Sequence, residues 1–236
     1  MEQKQIPQEI QELFSAYAAI PIPYYIHTGM KQPFAGRVMK GKGSIDEITK
    51  RLYLIKKSGE FTGLSDKEIL EKANIGIDCS GFVAWLYEAY STKHLNKHIW
   101  ELYKRPTYNP INWLLFHIDP VESMLNADTL TSLVNCEAIE KVKDIRVMDL
   151  VRLNGGRHVV MIYKIYYKDG IVGALDYIHS TSGVGVCMGK IMVNDPEQSI
   201  VQATWVKLEG NPKYQPADLI NRHVNDNGIR RPHFLA

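Results

Sequence analysis

Three side chains in this sequence have types and settings that could do chemistry together: Cys79, His158 and His179. Cys79 stands in Asp78-Cys79-Ser80-Gly81-Phe82-Val83, where a loop gives way to an apolar run that predicts a buried helix. Unpaired backbone N–H groups and the helix dipole favour a thiolate at such an entry, so the thiol pKa is expected to fall. A thiolate attacks amide carbonyls, and the same N–H groups can hold the oxyanion that forms. Gly81 leaves room for a neighbouring strand to approach the first turn. A nucleophile of this kind needs a base, and the base needs a group that orients it. His158 opens the strand-like run Val159-Val160-Met161-Ile162-Tyr163, and His179 closes Tyr177-Ile178-His179-Ser180. On adjacent antiparallel strands the two rings can lie side by side. The expected roles are Cys79 as nucleophile, His158 as base and His179 as the group that fixes its tautomer. Three such ligands can also hold zinc, but a helix-entry cysteine followed by Ser-Gly fits acyl chemistry better.

The elements that must position these groups change in character along the chain. Ile6 to Ala19 has helical spacing and stops at Pro21 and Pro23. Tyr24-Tyr25-Ile26 reads as extended, and Gly36 to Ser44 as a loop. Ser44 with Glu47, and Ser65 with Glu68, are capping boxes that predict helices to about Lys57 and Ala73. The Cys79 helix is expected to run to Tyr90. From Ser91 to about Asp144 come the aromatics Trp100, Tyr103, Tyr108, Trp113 and Phe116, broken by prolines. Helices and loops are expected there, more as core than as binding surface. After Ile145 the pattern turns to short Val/Ile/Tyr-rich runs: Val147–Leu153, His158–Tyr167, Ala174–Ser180, Val184–Met188 and Val201–Leu208. Asn154-Gly155-Gly156 is a hairpin signal between the first two. Helices followed by an antiparallel sheet make an α+β chain. The tail from 210 to 236 reads as surface wrapping.

Composition narrows the function classes. The 236 residues carry a formal charge of +2, with 45% hydrophobic and 23% charged residues. There is no dense basic face of the kind nucleic acid demands. The pairs Lys40/Lys42 and Arg230/Arg231 are read as solvated surface. Three cysteines make no disulfide framework, and Cys136 and Cys187 are read as structural. His94 and His98, four apart, are read as surface residues. No run approaches a membrane span, and the N-terminus lacks a secretory pattern, so the default expectation is a cytoplasmic protein.

DCSGFV, then MDLVRL ahead of RHVVMIY, then YIHSTSGVGV, resemble the NlpC-type cell-wall cysteine peptidases. In that family the cysteine opens the central helix, a Gly-Asp-Leu strand precedes a strand bearing His-Val, and a further strand carries the third residue. Asp149-Leu150 stand for the Asp-Leu pair here, and Met148 takes the place of the usual glycine. The resemblance covers about Gly76–Tyr90 and Val147–Met188. It implies a papain-like core in a single domain, with an N-terminal helical extension over 1–73, a helical aromatic-rich insertion over 91–144 and the tail over 210–236. It implies hydrolysis of peptidoglycan-derived peptides, commonly at a γ-D-glutamyl–diamino acid bond, with no cofactor. The partner would be a muropeptide or small peptide, reached in the cytoplasm or at the wall by another route of delivery. In members that bind a free amino terminus, the residues matching Asp78 and Ser80, with Tyr24 or Tyr25, hold the amine. The same three catalytic residues also suit an acyltransferase or transglutaminase-like enzyme, and a papain-like scaffold kept for binding remains the non-enzymatic alternative.

Overall fold

The computed structural model describes residues 2–25, 37–104, 125–206 and 226–236. Helices dominate the first half. Helix α1 (Gln8–Ala18) buries Ile10 and Tyr17. Helix α2 (Ile45–Ser58) begins at the expected capping box: Ser44 accepts from the Glu47 N–H, and the Glu47 carboxylate accepts from the Ser44 N–H at 2.8 Å. It ends at Gly59 with φ 74°, a left-handed cap that suits glycine. Helix α3 (Asp66–Lys72) starts with the same reciprocal pair at Ser65 and Glu68. Helix α4 (Cys79–His94) is apolar on nearly every side because it is the central helix. Phe82, Val83, Leu86 and Tyr87 are fully buried on it, each such burial stabilising by roughly 1.5–3 kcal/mol. Short helices α5 (Ile99–Leu102) and α6 (Ala127–Thr131) follow.

The strands are β1 (Glu2–Gln5), β2 (Cys136–Ile139), β3 (Leu150–Leu153), β4 (His158–Lys168), β5 (Ile171–Thr181), β6 (Gly185–Met192), β7 (Thr204–Val206) and β8 (Gly228–Pro232). They form one antiparallel sheet in the order β2-β8-β3-β4-β5-β6-β7, with β1 paired to the far half of β4. Alternation along the strands splits the core in two. Leu150, Val159, Met161 and Ile178 face the helices. Val151, Val160, Ile162 and Tyr177 face a second cluster with Ile191, Ile200 and Ile229. Helices packed on an antiparallel sheet make the chain α+β.

Several expectations are corrected. The 1–73 segment is not purely helical, since β1 joins the sheet. The 91–144 segment contributes β2 as well as helices; Tyr108, Trp113 and Phe116 lie outside the described residues. Of the run expected as a strand over Val201–Leu208, the described part, which ends at Val206, is a 3-10 turn (Ile200–Gln202) and the short β7. The tail does not only wrap the surface: β8 sits inside the sheet between β2 and β3. Arg230 and Arg231 are therefore buried rather than solvated. Arg231 makes this possible by reaching Asp149 through Nε at 2.9 Å and Nη2 at 2.8 Å. Arg230 pairs with Asp226 at 2.9 Å.

Two local conformations explain sequence features. Met148 has φ 71°, a region that favours glycine. It is held there by Met148 N–H to Ile162 O at 2.8 Å and by the Tyr87 hydroxyl donating to Met148 O at 2.6 Å. Asn154, Gly155 and Gly156, with φ 53°, 65° and 85°, close the β3–β4 hairpin, so that Leu153 pairs with His158. Arg152 packs across Gly156 and donates to Gly155 O at 3.1 Å and to Thr131 Oγ1 at 2.8 Å. That clamp fixes the turn from which His158 emerges.

Candidate active site

Cys79 is the first residue of α4, and its N-cap is Asp78, whose Oδ1 accepts from the Gly81 N–H at 2.6 Å. Among the described residues the N–H groups of Cys79 and Ser80 carry no hydrogen bond, which leaves two donors at the helix entry. The approach to Cys79 is tied down on two sides. Ser180, next to His179, donates to Ile77 O at 2.7 Å. On the other side, Asp78 N–H bonds Gly41 O at 3.0 Å, and Lys42 bridges Ile77. The close approach expected at Gly81 exists, but the segment that uses it is Gly41-Lys42: a Cβ on Gly81 would collide with Gly41 O and crowd Lys42.

The two histidines meet as their strand positions suggested. His158 Nε2 and His179 Nδ1 are 2.9 Å apart, with ring centroids 5.1 Å apart and planes at 78°. Both rings are buried. With Nε2 taken, Nδ1 of His158 is the nitrogen left to receive a proton. That role requires the Nε2–H tautomer, donating to His179 Nδ1. The Val159 N–H, one residue beyond His158, faces the Cys79 sulphur, so the start of β4 and the start of α4 adjoin. Cys79, His158 and His179 thus occupy one locality. Ser180 is turned away to Ile77 and is no partner of His158.

The electrostatics differ from the helix-entry expectation. Burial, and then the Asp78 charge, push the Cys79 thiol up to about 11 against the opposing Val159 N–H, Lys42 and Tyr24. The dipole argument counts only the helix end; desolvation of a cysteine that is 3% exposed outweighs it. Burial lowers His158 to about 4, with the Asp78 charge opposing. Burial also holds His179 well below its ordinary value, reinforced by His158. Both groups are therefore neutral at rest, a thiol near an imidazole.

This arrangement has a consequence for stability. His158 falls from an ordinary 6.5 to about 4, so the stability gained by keeping it neutral is present above 6.5 and is lost as pH falls toward 4. The loss is about 3 kcal/mol, and His179 adds to it in the same direction. Urea unfolding between pH 7 and pH 4 is expected to show this fall, reduced in His158→Gln; a flat profile in the wild type would contradict it.

The residues expected to hold substrate divide. Tyr24 turns its hydroxyl to the Cys79 sulphur, and its own pKa is raised by burial and then by the Cys79 and Asp78 charges. Tyr24 and Tyr25 both line a cavity of about 190 Å3 with Ile75 and Val184, rimmed by Lys67 and Glu71. Asp78 and Ser80 are already engaged from within the chain, by a residue the sequence reading placed on the surface. Lys42 is 6% exposed. Its Nζ donates to Asp78 Oδ1 at 2.8 Å, Ser80 Oγ at 2.5 Å and Leu125 O at 3.2 Å. The only sequence signal was its setting between Gly41 and Gly43, which lets the backbone close on α4.

The other singled-out residues stand apart from this locality. His94 pairs with Glu9 at 2.5 Å and His98 with Glu88 at 2.6 Å, both on exposed surface, and His98 stacks on Trp100 at 4.2 Å. Cys136 is buried and donates to Leu130 O at 3.1 Å. Cys187 lies opposite His179 in the β5–β6 register, and burial pushes its thiol to about 12. Among the described residues no group of three His, Cys, Asp or Glu is placed to hold a metal, and no helix is long and apolar enough to cross a membrane. Comparison of the chain with protein-family models, with curated proteins and with solved structures finds no match.

Proposed function

We propose that the chain is a papain-like cysteine hydrolase of the NlpC type, cutting amide bonds in peptidoglycan-derived peptides. The observation that carries the reading is the His158–His179 hydrogen bond beside a cysteine at the entry of the central helix. His158 Nδ1 takes the Cys79 proton as Sγ bonds to the amide carbonyl carbon. The N–H groups of Cys79 and Ser80 are the donors nearest to the oxyanion. His158 then gives the proton to the departing amine, leaving a thioester on Cys79. Water, deprotonated by His158, adds to the thioester, and the acid leaves as the thiol is restored. His179 accepts from His158 Nε2 throughout and steadies the imidazolium.

The choice of peptide rests on the motifs DCSGFV, MDLVRL, RHVVMIY and YIHSTSGVGV. The γ-D-glutamyl–diamino acid bond is the one those motifs favour. A panel of γ-D-glutamyl and α-linked peptides, analysed by mass spectrometry with and without an added amine, tests it. Release of the diamino acid by the wild type and not by Cys79→Ala is expected. An amide formed with the added amine in place of the acid would make the protein an acyltransferase instead. No turnover of any γ-linked peptide would remove the substrate assignment.

A further inference from the structure

We propose that Lys42 determines specificity: its ammonium fills the anionic slot beside Cys79, so the acyl side of the substrate is an amide-capped peptide rather than one with a free amino terminus. The inference rests on the cysteine-hydrolase reading and names the substrate class of that site.

Asp78 is the acidic group at the mouth of the Cys79 helix. Its Oδ1 receives the Lys42 ammonium at 2.8 Å, the Ser80 hydroxyl at 2.9 Å and the Gly81 N–H at 2.6 Å. The ammonium is itself satisfied, because its three protons meet Asp78, Ser80 and Leu125 O. The Lys42 and Asp78 side chains are 8% and 14% exposed. The backbone holds this arrangement in place. Trp85 Nε1 donates to Lys42 O at 2.9 Å, and the chain at Gly41-Lys42 presses on Gly81, where no Cβ fits. Lys42 is thus built into the first turn of α4 and is not a surface side chain that has folded inward.

Two ammonium groups cannot share this slot. A substrate amine would have to displace Lys42 from a buried ion pair or sit against a like charge in a poorly solvated site. Asp78 Oδ2 accepts no hydrogen bond from the described residues. With the carboxylate already neutralised by Lys42, the donor that suits Oδ2 is an uncharged N–H, such as that of a capping amide. The chain has therefore supplied its own cation at this carboxylate.

The test uses two affinity labels that differ in one group: L-Ala-γ-D-Glu chloromethyl ketone with its amino terminus free, and the same compound N-acetylated. Each alkylates a reactive thiol with loss of chloride, and the site is mapped by mass spectrometry. In the wild type the acetylated label is expected to modify Cys79 at least about tenfold faster. In Lys42→Ala, where Asp78 is left without its cation, the preference is expected to vanish or reverse; Lys42→Arg is expected to keep it. A wild type that favours the free amine, or a preference unchanged in Lys42→Ala, overturns the role of Lys42 and leaves the hydrolase reading standing. Failure of both labels to modify Cys79 faster than iodoacetamide overturns both. The wild-type comparison decides the matter even if Lys42→Ala does not fold.

Discussion

His158→Ala is expected to lower kcat/KM for amide cleavage by about 10^3-fold while leaving the fold intact. General-base catalysis contributes roughly 10^2 to 10^4, and the full effect should appear because the resting thiol is neutral. With Cys79 pushed up to about 11, no thiolate is waiting at neutral pH. In the proposed mechanism proton removal accompanies attack, and His158 Nδ1 is the acceptor. His179→Ala is expected to cost less, about 10^2-fold, since it removes the partner of Nε2 but not the base. Steady-state kinetics on a γ-D-glutamyl peptide, with circular dichroism to confirm folding, checks both. A His158→Ala enzyme within threefold of wild type would show that the proton goes elsewhere.

The second large effect concerns stability. Asp149→Ala is expected to cost about 3–5 kcal/mol, because it strands the buried Arg231 guanidinium without a counter-charge. Asp149 Oδ1 and Oδ2 each accept from Arg231, and Oδ2 also accepts from the Arg146 N–H at 2.7 Å. Arg231 belongs to β8, the strand joining β2 to β3, so the loss should open that side of the sheet first. Replacing both partners by apolar groups, Asp149→Leu with Arg231→Met, is expected to be less damaging than Asp149→Ala alone. Urea denaturation of the three proteins measures this. A loss below about 1 kcal/mol in Asp149→Ala would mean that Arg231 is stabilised by other contacts, such as its 2.7 Å bond to Asp144 O.

The legible parts of the fold are those whose signals are local. Ser44/Glu47 and Ser65/Glu68 each complete a cap within four residues, and both helices start there. Asn154-Gly155-Gly156 carries the positive φ values of its turn in residues that tolerate them. Cys79 at a helix entry and two histidines at strand ends follow from position along single elements, and their meeting required only that β4 and β5 be neighbours.

What escaped depends on partners far along the chain. Gly228-Ile229-Arg230-Arg231-Pro232 has no apolar alternation, and its burial is intelligible only once Asp149 is opposite Arg231. Glu2–Gln5 is polar and exposed along its length, an edge strand recruited by the free half of β4. Lys42 looks like any surface lysine until Asp78, Ser80 and Leu125 converge on it. The Cys79 pKa was misjudged for a related reason: helix-end electrostatics is visible in sequence, whereas depth of burial is set by the whole fold.

The measurement closest to the central claim is the identity of the acylated residue. Wild-type protein would be mixed with an activated ester of the γ-D-glutamyl acyl group, quenched in acid within seconds and digested for mass spectrometry. The proposed mechanism predicts the acyl mass on the peptide containing Cys79, sensitive to hydroxylamine, absent in Cys79→Ala and slow to form in His158→Ala. Hydrolysis that persists in Cys79→Ala, or an adduct found only on Cys136 or Cys187, would contradict it.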